Sequence, residues 1–269
     1  MKTYDIYCDA SVSSTLRGAC AGALVTERHS PTSTMQAVIQ PTGTNNSGEI
    51  CAILLGVMIA IDIKEKSKEP CRFNIFSDSI IGIRGVREWI FHWINNANKN
   101  GNNVFVNSSG DAVSNQLYFK MIFNHIIIRN LEVYFYHQSG HVNSRYGAAA
   151  RHFAETNGVN LMHLGLSAER ISSYNNLVDM RTRDILRCYL NGQQLTMDGI
   201  QFDFVANTEY ERISDQMAIP VIKVLNDPPT PIEHQRFAVM NGNGIIQKYA
   251  NLVHAMEYPS ASKIAKYIS

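Results

Sequence analysis

The strongest constraint on this fold is an ordered change of hydrophobic period through the first 158 residues. Residues 3–9, 20–27 and 35–39 have the alternation and β-branched content of strands, and together predict a three-stranded meander. An apolar stretch from Ile50 to Ile63 follows, in which Ile53, Leu54, Val57 and Ile61 recur at helical spacing. That spacing predicts a core-facing helix. Pro70 breaks the chain before another strand that ends at Asp78, and a helix carrying Trp89 and Trp93 comes next. A helix over Gln116 to Ile128, a strand over Leu131 to Tyr136 and an alanine-rich helix from about Arg145 to Glu155, stopped by Asn157-Gly158, complete the series. Such an order buries its apolar faces when the five strands share one mixed sheet and the helices cover it. The expected class is α/β.

Residues 95–115 are rich in Asn, Gly and Ser and read as an exposed excursion. Beyond Gly158 the texture changes. Ile171, Tyr174, Leu177, Val178, Ile185 and Tyr189 predict a helix near residues 168–190, and Asp198-Gly199 sits at the centre of a hairpin pattern over residues 195–204. Val221 to Leu225 is strand-like and is closed by Pro228-Pro229. The length of 269 residues fits two domains, expected at 1–158 and 159–269, the second a small α/β extension. No chemical motif is read in the extension. Homo-oligomerisation, docking of a protein partner and extra substrate contact all fit it.

Composition narrows the function classes. Lys and Arg number 24 against 23 Asp and Glu, so nucleic-acid binding cannot rest on a global basic field and must come from local geometry. Five cysteines without close paired spacing argue against a zinc site and for reduced thiols. The start lacks a signal-peptide core, and no run was expected to approach the roughly 20 apolar residues of a membrane span. These readings predict a soluble, intracellular or cytoplasmic protein in a reducing compartment, with no membrane partner.

Three carboxylates fall at the edges of the predicted elements. Asp9 closes the first alternating run, Glu49 opens the apolar helix and Asp78 closes the fourth strand. Each has an ordinary explanation alone: a turn residue at Asp9, a helix cap at Asp78, and a capping box over Asn46-Ser47-Gly48-Glu49. Brought together from separate elements they repel one another unless a cation sits between them. All-oxygen donors suit a hard ion such as magnesium or manganese.

In this layout the sequence resembles the type 1 ribonucleases H, over about residues 1–158. Asp9-Ala10-Ser11 is similar to that family's Asp-Gly-Ser, and Thr44-Asn45-Asn46 with Glu49 is similar to its Thr-Asn-Asn and helix glutamate. Ser77-Asp78-Ser79 and the later Trp89-Ile90 and Trp93 resemble its Asp-Ser and tryptophan helix. His137, Gly140, His141, Asn143, Arg145 and Arg151 resemble its histidine loop and last helix. The resemblance implies a ribonuclease H-like five-stranded sheet and hydrolysis of the RNA strand of an RNA/DNA hybrid with two Mg2+ or Mn2+ ions. Asp9, Glu49 and Asp78 would be the metal ligands, with Asp9 bridging. His137, in a flexible loop, would shuttle a proton or assist product release. Ser11, Asn45, Asn46, Ser79 and Asn143 would contact substrate. An amide both donates and accepts, which suits a 2'-hydroxyl. Trp89 and Trp93 serve equally as a groove for the DNA strand or as core.

One departure stands out. The family's fourth acid is expected ten residues past His137, where the sequence has Gly147. Glu155, eight residues further, lies about 12 Å along a helix and cannot replace it. A weakened second ion is therefore expected, with reduced activity or a manganese preference. The excursion carries Lys99 as its one base before Lys120, which predicts weaker and less salt-sensitive binding.

Overall fold

The structure is a computed structural model; it describes residues 1–13, 15, 18–40, 43–99, 104–142, 144–190, 221–224, 237–241 and 244–249. The elements run β1 (Lys2–Ser13), β2 (Gly18–Glu27), β3 (Ser33–Gln40), α1 (Asn45–Lys66), β4 (Cys71–Ser77), α2 (Ile80–Arg84), a π-helical turn (Gly85–Trp89), α3 (Ile90–Lys99), α4 (Gln116–Arg129), β5 (Glu132–His137), α5 (Tyr146–Asn157) and α6 (Ala168–Leu190). The first five strands form one mixed sheet in the order β3-β2-β1-β4-β5. β1 is antiparallel to β2 and parallel to β4, the combination expected from a meander followed by a crossover helix. This is the ribonuclease H-like α/β architecture. A second sheet joins β6 (Val221–Val224), β7 (Phe237–Asn241) and β8 (Gly244–Tyr249) in an antiparallel arrangement. The hairpin expected over residues 195–204 lies outside the described residues.

The chain divides into two compact units, Met1–Ile83 with Tyr136–Glu209, and Arg84–Phe135 with Tyr210–Ser269. In the first, α1 packs on β1, β2, β3 and β4 and is buried almost continuously from Ser47 to Ile61. At 22 residues α1 is apolar and long enough to cross a membrane by length and composition, so the expectation that no run approaches such a span is corrected. Its burial on the sheet explains the composition: a helix that is apolar all round belongs in a core.

Alternation along β1 splits its side chains between two faces. Ile6, Cys8 and Ala10 meet α1, where Gly56 and Gly48 let the backbones approach closely. Tyr7 points to the other face, stacked between Phe76 of β4 at 5.2 Å and Tyr174 of α6 at 4.8 Å. Phe76 continues the layer to Tyr136 and to Phe153 of α5. Such pairs add about 0.5–1.5 kcal/mol each beyond area burial. The second face of the sheet is thus covered by α5 and α6, and α6 lies beyond residue 158. Gly22 of β2 makes that contact possible, because a Cβ there would overlap Thr182 and Met35. At the far end of β1, the fully buried Asp5 is held by Arg28 and by Asn74 Nδ2 at 2.8 Å.

In the second unit Trp93 is core. It meets Phe119 at 5.0 Å and Phe105 at 6.3 Å, while Trp89 carries the Arg84 guanidinium over its ring at 5.6 Å. Beyond α3 the excursion is exposed at Val104 and over 108–112, as its composition implies, and Phe105 is its buried residue among those described at 104–115. All five cysteines are free, and four of them are buried.

Candidate metal centre

The ordinary explanations for the three acids fail one by one. β1 does not stop at Asp9 but runs to Ser13, with Asp9 paired to Gly22, so Asp9 is not a turn residue. The N-terminus of α1 is capped by Thr44, whose Oγ1 accepts from the Ser47 amide at 3.2 Å while Ser47 Oγ accepts from the Thr44 amide at 2.7 Å. The capping box lies two residues earlier than expected, and Glu49 is not part of it. After β4, the Ser79 hydroxyl accepts from the Gly82 amide at 3.2 Å, so Ser79 and not Asp78 caps α2. Three carboxylates remain with no local structural task.

Topology gathers them. Cys8 of β1 is level with Ser77 of β4, and one further step along the parallel register brings Asp9 beside Asp78. Glu49, in the first turns of α1, reaches the same place from the neighbouring layer. One carboxylate oxygen from each of Asp9, Glu49 and Asp78 lies within 4.8 Å of the others. Asp9 is 6% and Glu49 8% exposed. Burial, with the Asp78 charge second, pushes the Asp9 carboxyl up to about 8. Burial, then Asp9 and Asp78, pushes Glu49 up to about 9. Asp78 is also raised by burial, opposed by its own backbone amide, the nearby His141 and a hydrogen bond from Asn175. These are the shifts of anions held together without a counter-ion.

Glu49 Oε2 is buried and has no hydrogen-bond partner. A buried acceptor left unsatisfied costs about 1–3 kcal/mol, more when charged, and calls for a ligand. The donor set is all oxygen and anionic, so the residues present fit a hard divalent cation.

The remaining candidates are less uniform. Asn45 and Asn46 are exposed at the start of α1. Ser11 is engaged by α6: its hydroxyl lies 3.0 Å from Thr182 Oγ1 and 3.4 Å from the Asp179 carbonyl oxygen. Asn143 lies outside the described residues. His137 is not in a flexible loop, as expected, but is the last residue of β5. It is buried, with Nε2 3.1 Å from the Asp78 carbonyl oxygen and its backbone clamped by Asn157. The exposed histidine of this segment is His141, at φ 48°, whose charge acts on Asp78. Between the two, Gly140 lies so close to Asp78 that a Cβ there would overlap its carboxylate. Gly147 is exposed in the first turn of α5, with open space around a Cβ.

The helix expected near residues 168–190 is α6, but its place at the site was not read from the sequence. Asn175, Asp179 and Thr182 make a polar stripe at helical spacing among its buried Ile171, Val178 and Ile185. A polar stripe inside an apolar face was the available signal.

The family model for RNase H matches residues 1–157. The chain belongs to the RNase H family. Among solved structures, it is similar to LC9-RNase H1, a type 1 RNase H with the type 2 active-site motif, at 19% identity over 59% of this chain and 74% of that one, with a TM-score of 0.39. It is also similar to LC11-RNase H1 in complex with an RNA/DNA hybrid, at 13% identity over 58% of this chain and 99% of that one, TM-score 0.37. RNase H1 from the halophilic archaeon Halobacterium salinarum NRC-1 is 12% identical over 57% of this chain and 98% of that one, TM-score 0.34. No curated protein matches the sequence. The match ends at residue 157, so α6 lies outside the family region.

Proposed function

We propose that this RNase H family protein is an endonuclease that hydrolyses the RNA strand of RNA/DNA hybrids with magnesium or manganese. One observation carries the reading: the convergence of Asp9, Glu49 and Asp78 within 4.8 Å, Asp9 and Glu49 buried and Asp78 half-buried. The bound metal would supply positive charge and Lewis acidity for phosphodiester hydrolysis. Asp9, Glu49 and Asp78 would hold it, Asp9 from β1, Glu49 from α1 and Asp78 from the end of β4. Gly140 lets the histidine segment close against Asp78. His137 would position that segment through the Asp78 carbonyl, and the exposed His141 would set its charge near the Asp78 carboxylate.

Substrate contact would fall to Asn45 and Asn46, exposed one turn before Glu49, where amides can pair with a 2'-hydroxyl. An open groove beside the site is lined by Ser11, Ser13 and Thr15 on one side and Arg183 and Arg187 on the other. Those arginines suit phosphate oxygens.

The second reading is a catalytically impaired member that binds hybrid or structured nucleic acid without cutting, as part of a complex. Gly147 in place of an acid is the observation that favours it. Labelled RNA/DNA hybrid, duplex RNA and duplex DNA, each with magnesium and then manganese, separate the two. Cuts confined to the RNA of the hybrid and lost in Asp78→Asn support the enzyme. Tight hybrid binding with no cuts in either metal would retire it.

A further inference from the structure

We infer that Asp179, on a helix outside the family region, is a fourth carboxylate of the cation site and takes over the task left open by Gly147. The inference rests on the metal reading of Asp9, Glu49 and Asp78. No acid lies in the first turn of α5, where Gly147 stands.

The position of Asp179 is bracketed on both sides. One turn before it, Asn175 hydrogen-bonds the Asp78 carboxylate and accepts from Gln138 Nε2. One turn after it, Thr182 meets Ser11, two residues beyond Asp9. The Asp179 carbonyl oxygen itself lies 3.4 Å from Ser11 Oγ. Residues three and four apart share a helix face, so Asp179 is presented between Asp78 and the end of β1. Its negative charge acts on Asp9, Glu49 and Asp78 alike.

A cluster of acids is common without an ion, and the independent sign of a ligand is Glu49. It is more than nine-tenths buried, it belongs to the cluster, and its Oε2 has no partner. The bland alternative is that Asp179 merely pairs with Arg183, four residues on, at 2.6 Å. Such pairs are worth a few tenths of a kcal/mol on a helix surface and need no neighbours. Here the carboxylate is the inner partner, 19% exposed against 65% for the arginine, and its charge is felt by all three acids. A half-buried carboxylate whose charge adds to that of three others has a cation as its natural counterpart, whereas an exposed arginine can leave.

The test is Mn2+ binding by the full chain, followed by electron paramagnetic resonance of free Mn2+ and by calorimetry, with thermal unfolding in EDTA alongside. Asp179→Asn should weaken Mn2+ binding about tenfold or more, since even indirect partners of ligands are worth that much, and should leave unfolding in EDTA unaltered or shifted upward. Arg183→Ala should bind Mn2+ as tightly as the parent or tighter. Parent-like Mn2+ binding by Asp179→Asn, with binding lost in Asp9→Asn, would overturn this inference and spare the metal reading. Equal losses in Asp179→Asn and Arg183→Ala would assign the effect to the ion pair and overturn it too. Mn2+ binding untouched by Asp9→Asn would sink the metal reading and the inference together.

Discussion

Removing one carboxyl that must take up a proton on folding should stabilise the metal-free protein, and Glu49→Gln is the change that shows it. Glu49 has its carboxyl raised from an ordinary 4.5 to about 9 by burial first and by Asp9 and Asp78 next. Between those two values the folded state holds a proton that the unfolded state has lost. A raised carboxyl therefore destabilises the fold progressively as pH rises through that window. At pH 7.5 the span from 4.5 is three pH units, at about 1.4 kcal/mol each, or at most about 4 kcal/mol from Glu49 alone. Asp9, raised to about 8, acts with the same sign. His92 and His125 are lowered by burial and act in the opposite sense, mainly below about pH 6.5, so the useful window is pH 6.5–7.5. Across it the parent in EDTA should lose about 2–3 kcal/mol of unfolding free energy, and Glu49→Gln about half of that. Urea unfolding at three pH values measures both slopes. Saturating Mn2+ should flatten the parent's slope and leave the variant's largely unchanged, because the cation replaces the proton as counter-charge. A parent whose metal-free stability is flat or rising over this range, or a variant with the parent's slope, would refute the picture of anions crowded without a counter-ion.

Three further outcomes follow from the geometry. Asp5→Ala strips the partner from Arg28 at a position with no exposure and should cost about 3–5 kcal/mol in urea unfolding without changing Mn2+ binding. Gly140→Ala pushes a methyl group into the Asp78 carboxylate and should lose about 1–3 kcal/mol of Mn2+ affinity, read by calorimetry, while the thermal midpoint in EDTA moves little. Gly147→Asp, placed where nothing meets a new side chain, should restore part of the Mn2+ binding lost in Asp179→Asn.

The fold was legible because its information is local. Alternation in β1 to β5 and the helical spacing of Ile53, Leu54, Val57 and Ile61 do not depend on distant residues, and the parallel pairing of β1 with β4 follows from the intervening helix. Asp9, Glu49 and Asp78 were legible for the same reason, each standing at a fixed place on one element. Errors arose where neighbours decide. Asp9 looked terminal because Ala10 and Ser11 are small and weak strand formers, yet pairing with Ala21 and Cys20 extends the strand. Glu49 looked like part of a capping box because Asn46 and Glu49 stand three residues apart, but Thr44 was better placed to close the first turn. His137 looked mobile beside Gly140, although Asn157, twenty residues on, fixes its backbone. The apolar pattern of α6 predicted a helix, but nothing within it announces that Tyr174 will stack on Tyr7 or that Thr182 will meet Ser11. Those contacts join residues more than 160 positions apart, beyond the reach of any local pattern.

The central claim is that Asp9, Glu49 and Asp78 form a working metal site for cutting RNA paired to DNA. Its most direct test is cleavage of a strand-labelled RNA/DNA hybrid by the full chain with Mg2+ or Mn2+, beside Asp9→Asn. The account predicts cuts in the RNA strand only, dependent on the metal and lost in Asp9→Asn. An intact hybrid in both metals, or cuts that persist in Asp9→Asn, would contradict it.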